Sequence, residues 1–174
     1  RAVDLDEHGY FEFTVAHEVV HQWFYGIVGN NQYDDAFIDE GLTNYLSSRV
    51  YFTRLYGEEI GAAAFERNIR TPFRYMIEGN RDVIVATDTD AFPSSNSYVD
   101  AVYIKAPMGF FTIHETLGDD AFFAGLGDYV ETYRFRIATP ADLLAAWQAV
   151  TDADIAALWT HWFERRNGAL DIRD

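Results

Sequence analysis

The amino-acid sequence predicts an all-α domain of about seven helices with almost no sheet. Two observations support this class. Apolar residues recur at helical spacing through most of the chain, and Gly, Pro and capping residues fall between the periodic segments. At 174 residues the chain fits a single domain, residues 1–174, with a sizeable core. It contains no Cys, which excludes disulfide-stapled folds and metal sites built from thiolates.

The first predicted helix covers residues 11–24 and is apolar on every side, interrupted mainly by His17, Glu18 and His21. A helix that is apolar all round is usually buried, so we expect this one in the interior. Its polar residues then need partners, because an unpaired buried carboxylate or imidazole is costly. The second helix is predicted over residues 36–51, with Asp34-Asp35 as its N-cap.

The remaining elements follow from the same spacing. Further helices are predicted over residues 58–70, 72–78 and 106–117. Three more follow: one capped by Asp119 with an apolar stripe over residues 122–133, one that opens with a capping box at Thr139-Pro140-Ala141-Asp142, and one capped by Asp152. Breaks are expected at Gly57, at Thr71-Pro72 and at Gly118. Residues 82–85 are predicted as a short strand or an extended loop, 88–97 as a loop, and 1–10 as extended or frayed.

The composition limits the classes of partner that the chain can bind. A net charge of −15 argues against nucleic acid or an anionic membrane as a partner and is typical of a solvated acidic surface. No apolar run approaches the roughly 20 residues of a membrane span. Lysine occurs once, at Lys105, in a chain otherwise rich in Arg.

The stretch His17-Glu18-Val19-Val20-His21 carries the chemistry. Residues four apart on a helix share a face, so His17 and His21 can offer two imidazoles to one ion. Glu18 is rotated by about 100° from His17, which places it beside the metal, where it can take a proton from activated water. Catalytic zinc generally has three protein ligands, and Glu40, on the next helix, is the predicted third.

A family resemblance adds to this interpretation. The segment His17–Phe24, the spacing to Glu40-Gly41-Leu42, a downstream Tyr103-Ile104-Lys105 and the ending Trp162–Gly168 resemble the aminopeptidase N (membrane alanyl aminopeptidase) family of gluzincin zinc peptidases. The resemblance implies Zn²⁺ on His17, His21 and Glu40, Glu18 as general base and Tyr103 as the donor that stabilises the oxyanion. It also implies the helical lobe of a thermolysin-like catalytic domain, with the zinc-binding helices within 11–56 and the Tyr-containing and C-terminal helices within 98–166.

Tyr103 has one rival as the donor. Other gluzincins use a downstream His, and His114 is the candidate, but its place in an apolar stripe favours a packed side chain. The single lysine two residues after Tyr103 suggests that Arg is not tolerated at position 105. Asn44 shares a face with Glu40 and could orient a ligand. His8 and His161 are assigned no role.

Two departures from the family pattern bear on function. The family often has Glu seven residues after the zinc Glu, supporting a zinc His, whereas Ser47 stands here. The Gly-x-Met-Glu-Asn motif that grips a substrate's amino terminus would lie upstream of residue 1, in other parts of a longer protein. We therefore expect residues 1–174 alone to bind zinc but to hydrolyse peptides poorly.

Three functions remain open from the sequence. The first is an aminopeptidase acting on peptides. The second is another zinc hydrolase on the same lobe, an endopeptidase or an epoxide hydrolase. The third is a non-catalytic module stabilised by zinc, and the intact Glu18 argues against it because a structural site has no use for that carboxylate.

Overall fold

A computed structural model describes residues 8–172 of the chain, and residues 1–7, expected to be extended or frayed, lie outside the described residues. The helices are α1 (His8–Val20), α2 (Glu40–Tyr45), α3 (Tyr51–Tyr56), α4 (Glu58–Phe65), α5 (Thr71–Glu78), α6 (Ser95–Val99), α7 (Ala106–Tyr133), α8 (Pro140–Gln148) and α9 (Ile155–Phe163). Two short strands, β1 (Val28–Gly29) and β2 (Arg136–Ile137), pair in parallel. The predicted all-α class is confirmed. Residues 8–10 open α1 rather than being extended.

Three π-helical segments join neighbouring α-helices into longer rods. They cover Leu46–Val50 between α2 and α3, Glu66–Arg70 between α4 and α5, and Asp100–Lys105 between α6 and α7. Such wide turns are uncommon and are frequently found at functional sites. The break predicted at Thr71-Pro72 is therefore wrong, because the π-helical turn before Pro72 accommodates its ring and its missing N–H.

The helix predicted to begin near residue 106 begins much earlier. Ser94 caps α6 by accepting a hydrogen bond from the Ser97 backbone N–H, and the rod runs on through the π-helical segment into α7. The loop predicted over residues 88–97 thus ends at Ser94. Tyr103, just before the predicted start of that helix, lies inside the π-helical segment instead.

The predicted helix ends and caps are partly confirmed. Gly57 and Gly118 interrupt their helices with left-handed φ angles of 93° and 74°, a conformation that glycine adopts without strain. The capping box at Thr139 is present, with the Thr139 side chain accepting from the Asp142 N–H. Asp35 makes no capping hydrogen bond, and α9 is capped by Asp154 rather than Asp152.

The core is built mainly from aromatic side chains. The largest fully buried ones are Phe37, Tyr45, Phe52, Phe65, Phe73, Phe110, Phe122, Trp147 and Phe163. Residues 82–85, for which a strand or an extended loop was predicted, form an irregular segment whose Val85 N–H bonds to the Phe163 carbonyl at 3.0 Å. None of the described helices is both long and apolar enough to cross a bilayer.

Helix α1 departs most from its prediction. Phe11 is 71% exposed, Val15 45%, Val19 50%, and Trp23, in the turn after the helix, 48%. The helix contacts the body of the domain through the opposite face, where Ala16 and His17 are buried. The expectation of a fully buried helix over 11–24 is therefore wrong, because no described residue covers the outer apolar stripe of this helix.

Candidate metal centre

Helices α1 and α2 bring three potential ligands together. The Nε2 atoms of His17 and His21 are 3.0 Å apart, and each lies 3.2 Å from the same oxygen, Oε2 of Glu40. Candidate ligand atoms of the three side chains all lie within 4.8 Å of one another. The helical spacing of the two histidines and the first turn of α2 produce this convergence, as the sequence predicted.

The Nδ1 atoms of His17 and His21, which are not the atoms that meet in the cluster, differ in their hydrogen bonding. His21 donates its Nδ1–H to the Phe24 carbonyl at 3.1 Å, which leaves the Nε2 lone pair directed at the cluster. His17 Nδ1 is buried and has no hydrogen-bond partner among the described residues. One ligand ring is thus fixed by a backbone carbonyl and the other is not.

The carboxylate of Glu40 is held in its ionised form. Burial alone would raise its pKa, but hydrogen bonds from His17, His21 and Tyr103 outweigh burial and lower the pKa to about 2. Burial lowers the pKa of His21, yet the hydrogen bonds to Glu40 and to the Phe24 carbonyl leave it raised overall. An anionic oxygen beside two imidazoles is a donor set suited to a divalent cation.

Glu18 lies at the edge of the open cleft above this cluster. It is exposed, and it lines the cleft together with Gln22, Tyr25, Gly26, Gln32 and Tyr103. Its carboxylate is therefore accessible to a water molecule or a substrate in the cleft. Tyr25, on the same rim, has a left-handed φ of 100°, an uncommon and strained conformation for a residue other than glycine.

Tyr103 reaches the cluster from the π-helical segment. Its hydroxyl hydrogen-bonds to Glu40, its ring lies 6.4 Å from that of His17, and Tyr98 is a second hydrogen-bond partner. Burial, followed by the charge of Glu40, raises the pKa of Tyr103, so the hydroxyl keeps its proton. Asn44, which could have oriented a metal ligand, instead donates from Nδ2 to the Tyr103 carbonyl at 2.7 Å.

Lys105 anchors the segment that carries Tyr103. It is fully buried, and its ammonium donates to Asp82 Oδ1 at 2.6 Å, to the Val83 carbonyl at 2.6 Å and to the Arg165 carbonyl at 2.7 Å. Each of the three N–H groups of this small ammonium has its own acceptor, which explains why a lysine stands here in a chain otherwise rich in arginine. Asp82 was not identified from the sequence, and its other oxygen accepts the Gly168 N–H.

A second feature missed from the sequence places the start of α2. Asp39 is 2% exposed and accepts hydrogen bonds from Asn30 at 2.9 Å and from Gln32 at 2.8 Å. Burial raises its pKa despite these bonds. The two amides tie the loop after β1 to the residue before Glu40. Amide side chains in that loop were the available signal, but they are common in loops of any function.

His114 is a packed side chain, as its apolar surroundings predicted. Its Nδ1 lies 2.5 Å from the Tyr45 hydroxyl, its Nε2 lies 2.9 Å from Asp119, and its ring stacks on Phe122 at 4.0 Å. Both nitrogens are occupied, and the side chain does not line the cleft of the metal cluster.

The fold and the site together define a class: a helical domain with two imidazoles and one carboxylate arranged for a catalytic metal and an exposed Glu beside them. Residues 4–162 match the Peptidase family M1 domain, and the chain belongs to that family. This confirms the predicted aminopeptidase N-like family and the class of zinc metallopeptidases.

Curated relatives agree with this assignment. The chain is 25% identical over 163 residues to Aminopeptidase N of Lactobacillus helveticus, covering 87% of this chain and 18% of that protein. It is 24% identical over 138 residues to Leukotriene A-4 hydrolase of Xenopus laevis, covering 72% and 21%. The chain therefore spans about a fifth of the length of these relatives.

Solved structures show the same fold. A mutant M1 zinc metallopeptidase from Deinococcus radiodurans, bound to a Tyr-Ser-Ala substrate, superposes with a TM-score of 0.69 at 20% identity, covering 89% of this chain and 33% of that one. A second structure of a mutant M1 zinc metallopeptidase from Deinococcus radiodurans gives a TM-score of 0.65 at 20% identity, with 88% and 33% covered.

Proposed function

We propose that this chain is the zinc-binding helical lobe of an aminopeptidase that releases amino-terminal residues from peptides. The observation that carries the proposal is the convergence of His17, His21 and Glu40 on one point beside an exposed Glu18. In this proposal the three residues hold one Zn²⁺. Two imidazoles and one carboxylate are the donor set of a catalytic zinc site that keeps a position for water. The presence of aminopeptidases among the relatives supports the substrate class.

When bound, the ion would supply Lewis acidity, activating water and polarising the scissile carbonyl. Glu18 takes the proton from the attacking water and delivers it to the leaving amine. Its exposure on the rim of the cleft supports that role, since the carboxylate must reach both. Tyr103 donates its hydroxyl proton in a hydrogen bond to the carbonyl oxygen as negative charge develops there. Its raised pKa supports this role, because only the protonated phenol can donate.

The proposal assigns the rest of the cleft to other parts of a longer protein. The relatives are about five times the length of the matched region, which leaves room for domains that align the peptide and bind its amino terminus. The zinc-binding helices within 11–56 and the Tyr-containing and C-terminal helices within 98–166 then form the helical side of the cleft.

The general-base role of Glu18 is tested by Glu18→Gln in the protein that contains this chain. We expect zinc to remain at one per chain while kcat falls by about 10²–10⁴-fold, because the amide cannot accept the proton of water. Zinc analysis and steady-state kinetics measure the two quantities. Glu59→Gln, an equally conservative change at an exposed position of α4, serves as the control. Normal turnover by Glu18→Gln contradicts the role, and a wild-type protein without stoichiometric zinc contradicts the site.

Substrate class is tested with pairs of peptides that differ only in amino-terminal acetylation. An aminopeptidase cleaves the free-amino peptide and spares the acetylated one. Cleavage of only the acetylated peptide rules out this activity and indicates an endopeptidase. The similarity to Leukotriene A-4 hydrolase favours an epoxide hydrolase as the second candidate, and hydrolysis of an epoxide without peptide turnover would support it.

A further inference from the structure

Buried polar atoms without a partner occur on one proposed zinc ligand and on the rod packed against its helix. Among the described residues, four buried side-chain atoms have no hydrogen-bond partner, and three of them are His17 Nδ1, Thr43 Oγ1 and Ser47 Oγ. Thr43 and Ser47 are fully buried and His17 is 9% exposed. Buried polar groups are nearly always paired with protein atoms or with ordered water, so three unpaired atoms in neighbouring elements require a common explanation.

The three residues lie on α1 and on the rod that begins with α2, two elements that pack against each other. Thr43 and Ser47 follow Glu40 at intervals of three and then four residues, which places all three on one face of the rod. The carboxylate of Glu40 contacts both histidines of α1, so this face is the one directed at α1. Helix α1 also packs against the π-helical segment that contains Ser47.

Neighbouring side chains show that the missing partners are specific to these positions. Ser48, buried in the same segment, donates its hydroxyl to the Asn44 carbonyl at 2.7 Å. The hydroxyls of Thr43 and Ser47 make no such bond to their own helix. His21 satisfies its outer nitrogen with the Phe24 carbonyl. If His17 binds a metal through Nε2, its Nδ1 carries the proton and needs an acceptor.

We propose that one buried water molecule joins His17 to Thr43 and Ser47. The water accepts the Nδ1–H of His17 and donates to the two hydroxyl oxygens, giving it three partners, the usual number for a buried water. No direct hydrogen bond joins the three atoms, which is the situation in which a bridging water serves.

The bridge makes Thr43 and Ser47 positioning residues for His17. They act on the metal only through the orientation and tautomer of that imidazole, as groups hydrogen-bonded to zinc histidines do. This inference rests on the proposed zinc site, but the bridge itself requires only the three buried polar atoms.

Zinc affinity, measured by chelator competition, tests the positioning role in the protein that contains this chain. Ser47→Ala is expected to weaken zinc binding by about 10-fold, within the range seen for residues that support metal ligands. Ser48→Ala is the matched control, since it removes a hydroxyl from the adjacent buried position, and it should leave the affinity unchanged. At position 43, Thr43→Val should weaken binding like Ser47→Ala, whereas Thr43→Ser keeps the hydroxyl and should retain the wild-type value. Because both residues act through one water, the double variant should lose little more than either single one.

A crystal structure of the wild-type protein tests the water directly. Density for one water within about 3 Å of His17 Nδ1, Thr43 Oγ1 and Ser47 Oγ supports the bridge, and its loss in Ser47→Ala confirms the assignment. An empty or protein-filled space there overturns the proposal, as does wild-type zinc affinity in both Ser47→Ala and Thr43→Val. If the wild-type protein binds no zinc, the proposed function fails, and the water density still decides the bridge.

Discussion

Two histidine clusters contact the rod that begins with α2, one through Glu40 and the other through Tyr45, and they use the imidazole ring in opposite ways. In the metal cluster, His17, His21 and Glu40 direct three atoms at one point, and two of these atoms are imidazole nitrogens only 3.0 Å apart. In the His114 cluster, formed by Tyr45, His114, Asp119 and Phe122, each ring nitrogen has its own partner and the ring stacks on a neighbour. The packed His114 thus uses its two ring nitrogens in two separate hydrogen bonds. The two histidines of the metal cluster instead each direct one nitrogen at a common point.

Substitution of one tyrosine in each cluster is expected to give the largest difference in activity between the two clusters. Tyr103→Phe removes the proposed oxyanion donor and is expected to lower kcat by about 10²–10³-fold while zinc binding persists. Tyr45→Phe removes the partner of His114 Nδ1 and should leave kcat unchanged while lowering the free energy of unfolding by about 1–2 kcal/mol. Steady-state kinetics and chemical denaturation of both variants provide the measurements. A large fall in kcat for Tyr45→Phe, or none for Tyr103→Phe, would contradict the division.

The pH dependence of stability gives a second test. Burial lowers the pKa of His114, although Asp119 and Glu115 raise it and Arg49 adds to the lowering. Because the folded-state pKa lies below the unfolded value of 6.5, the unfolded chain binds more protons as the pH falls from 6.5 toward the folded pKa, and stability is lost over that window. Each unit of difference in pKa corresponds to about 1.4 kcal/mol.

Denaturation of the metal-free protein at pH 7.5 and at pH 5.5 measures this effect. His114→Gln should lose less stability on acidification than the wild type, since glutamine does not titrate. His21 is present in both proteins, so its own contribution cancels in the comparison. Equal losses in the two proteins would show that His114 titrates alike in the folded and unfolded states.

The smallest expected effects concern the backbone beside each cluster. Near the metal cluster the left-handed position is occupied by Tyr25, at φ 100°, and near the His114 cluster by Gly118, at φ 74°. Tyr25→Gly should raise the free energy of unfolding by about 1 kcal/mol by relieving strain, and Gly118→Ala should lower it by a similar amount. Thermal or chemical denaturation measures both changes, and a destabilised Tyr25→Gly would show that ring contacts outweigh the strain.

The features that the sequence predicted depend on residues close together in the chain. The two histidines of α1 share a face because of helical spacing, and the capping box at Thr139 involves residues three apart. Gly57 ends its helix by its own conformational freedom. Local rules therefore identified the two histidines as candidate metal ligands before any tertiary contact was considered.

The features that the sequence did not reveal depend on distant partners. The bonds of Lys105 to Asp82 and to the Arg165 carbonyl join segments far apart in the chain, and no periodic pattern marks such acceptors. Apolar residues have nearly the same spacing in a π-helical segment as in an α-helix, so the sequence pattern does not distinguish the two. The pattern therefore gives no sign of the π-helical turn before Pro72 and predicts a break there. The exposure of Phe11 on α1 escaped prediction because composition shows that a face is apolar but not what covers it.

The Lys105 anchor also links the candidate site to a distant part of the chain. The three proposed ligands lie within 24 positions of one another, between His17 and Glu40. Tyr103, the proposed oxyanion donor, is carried by a segment whose lysine bonds to the carbonyl of Arg165, 60 positions further on. The ribosome therefore makes the proposed ligands well before it makes an acceptor that fixes the proposed donor. A chain that ended before Arg165 would keep the three ligands and lack one of the contacts that hold Tyr103, so we expect zinc binding to survive such a truncation better than catalysis.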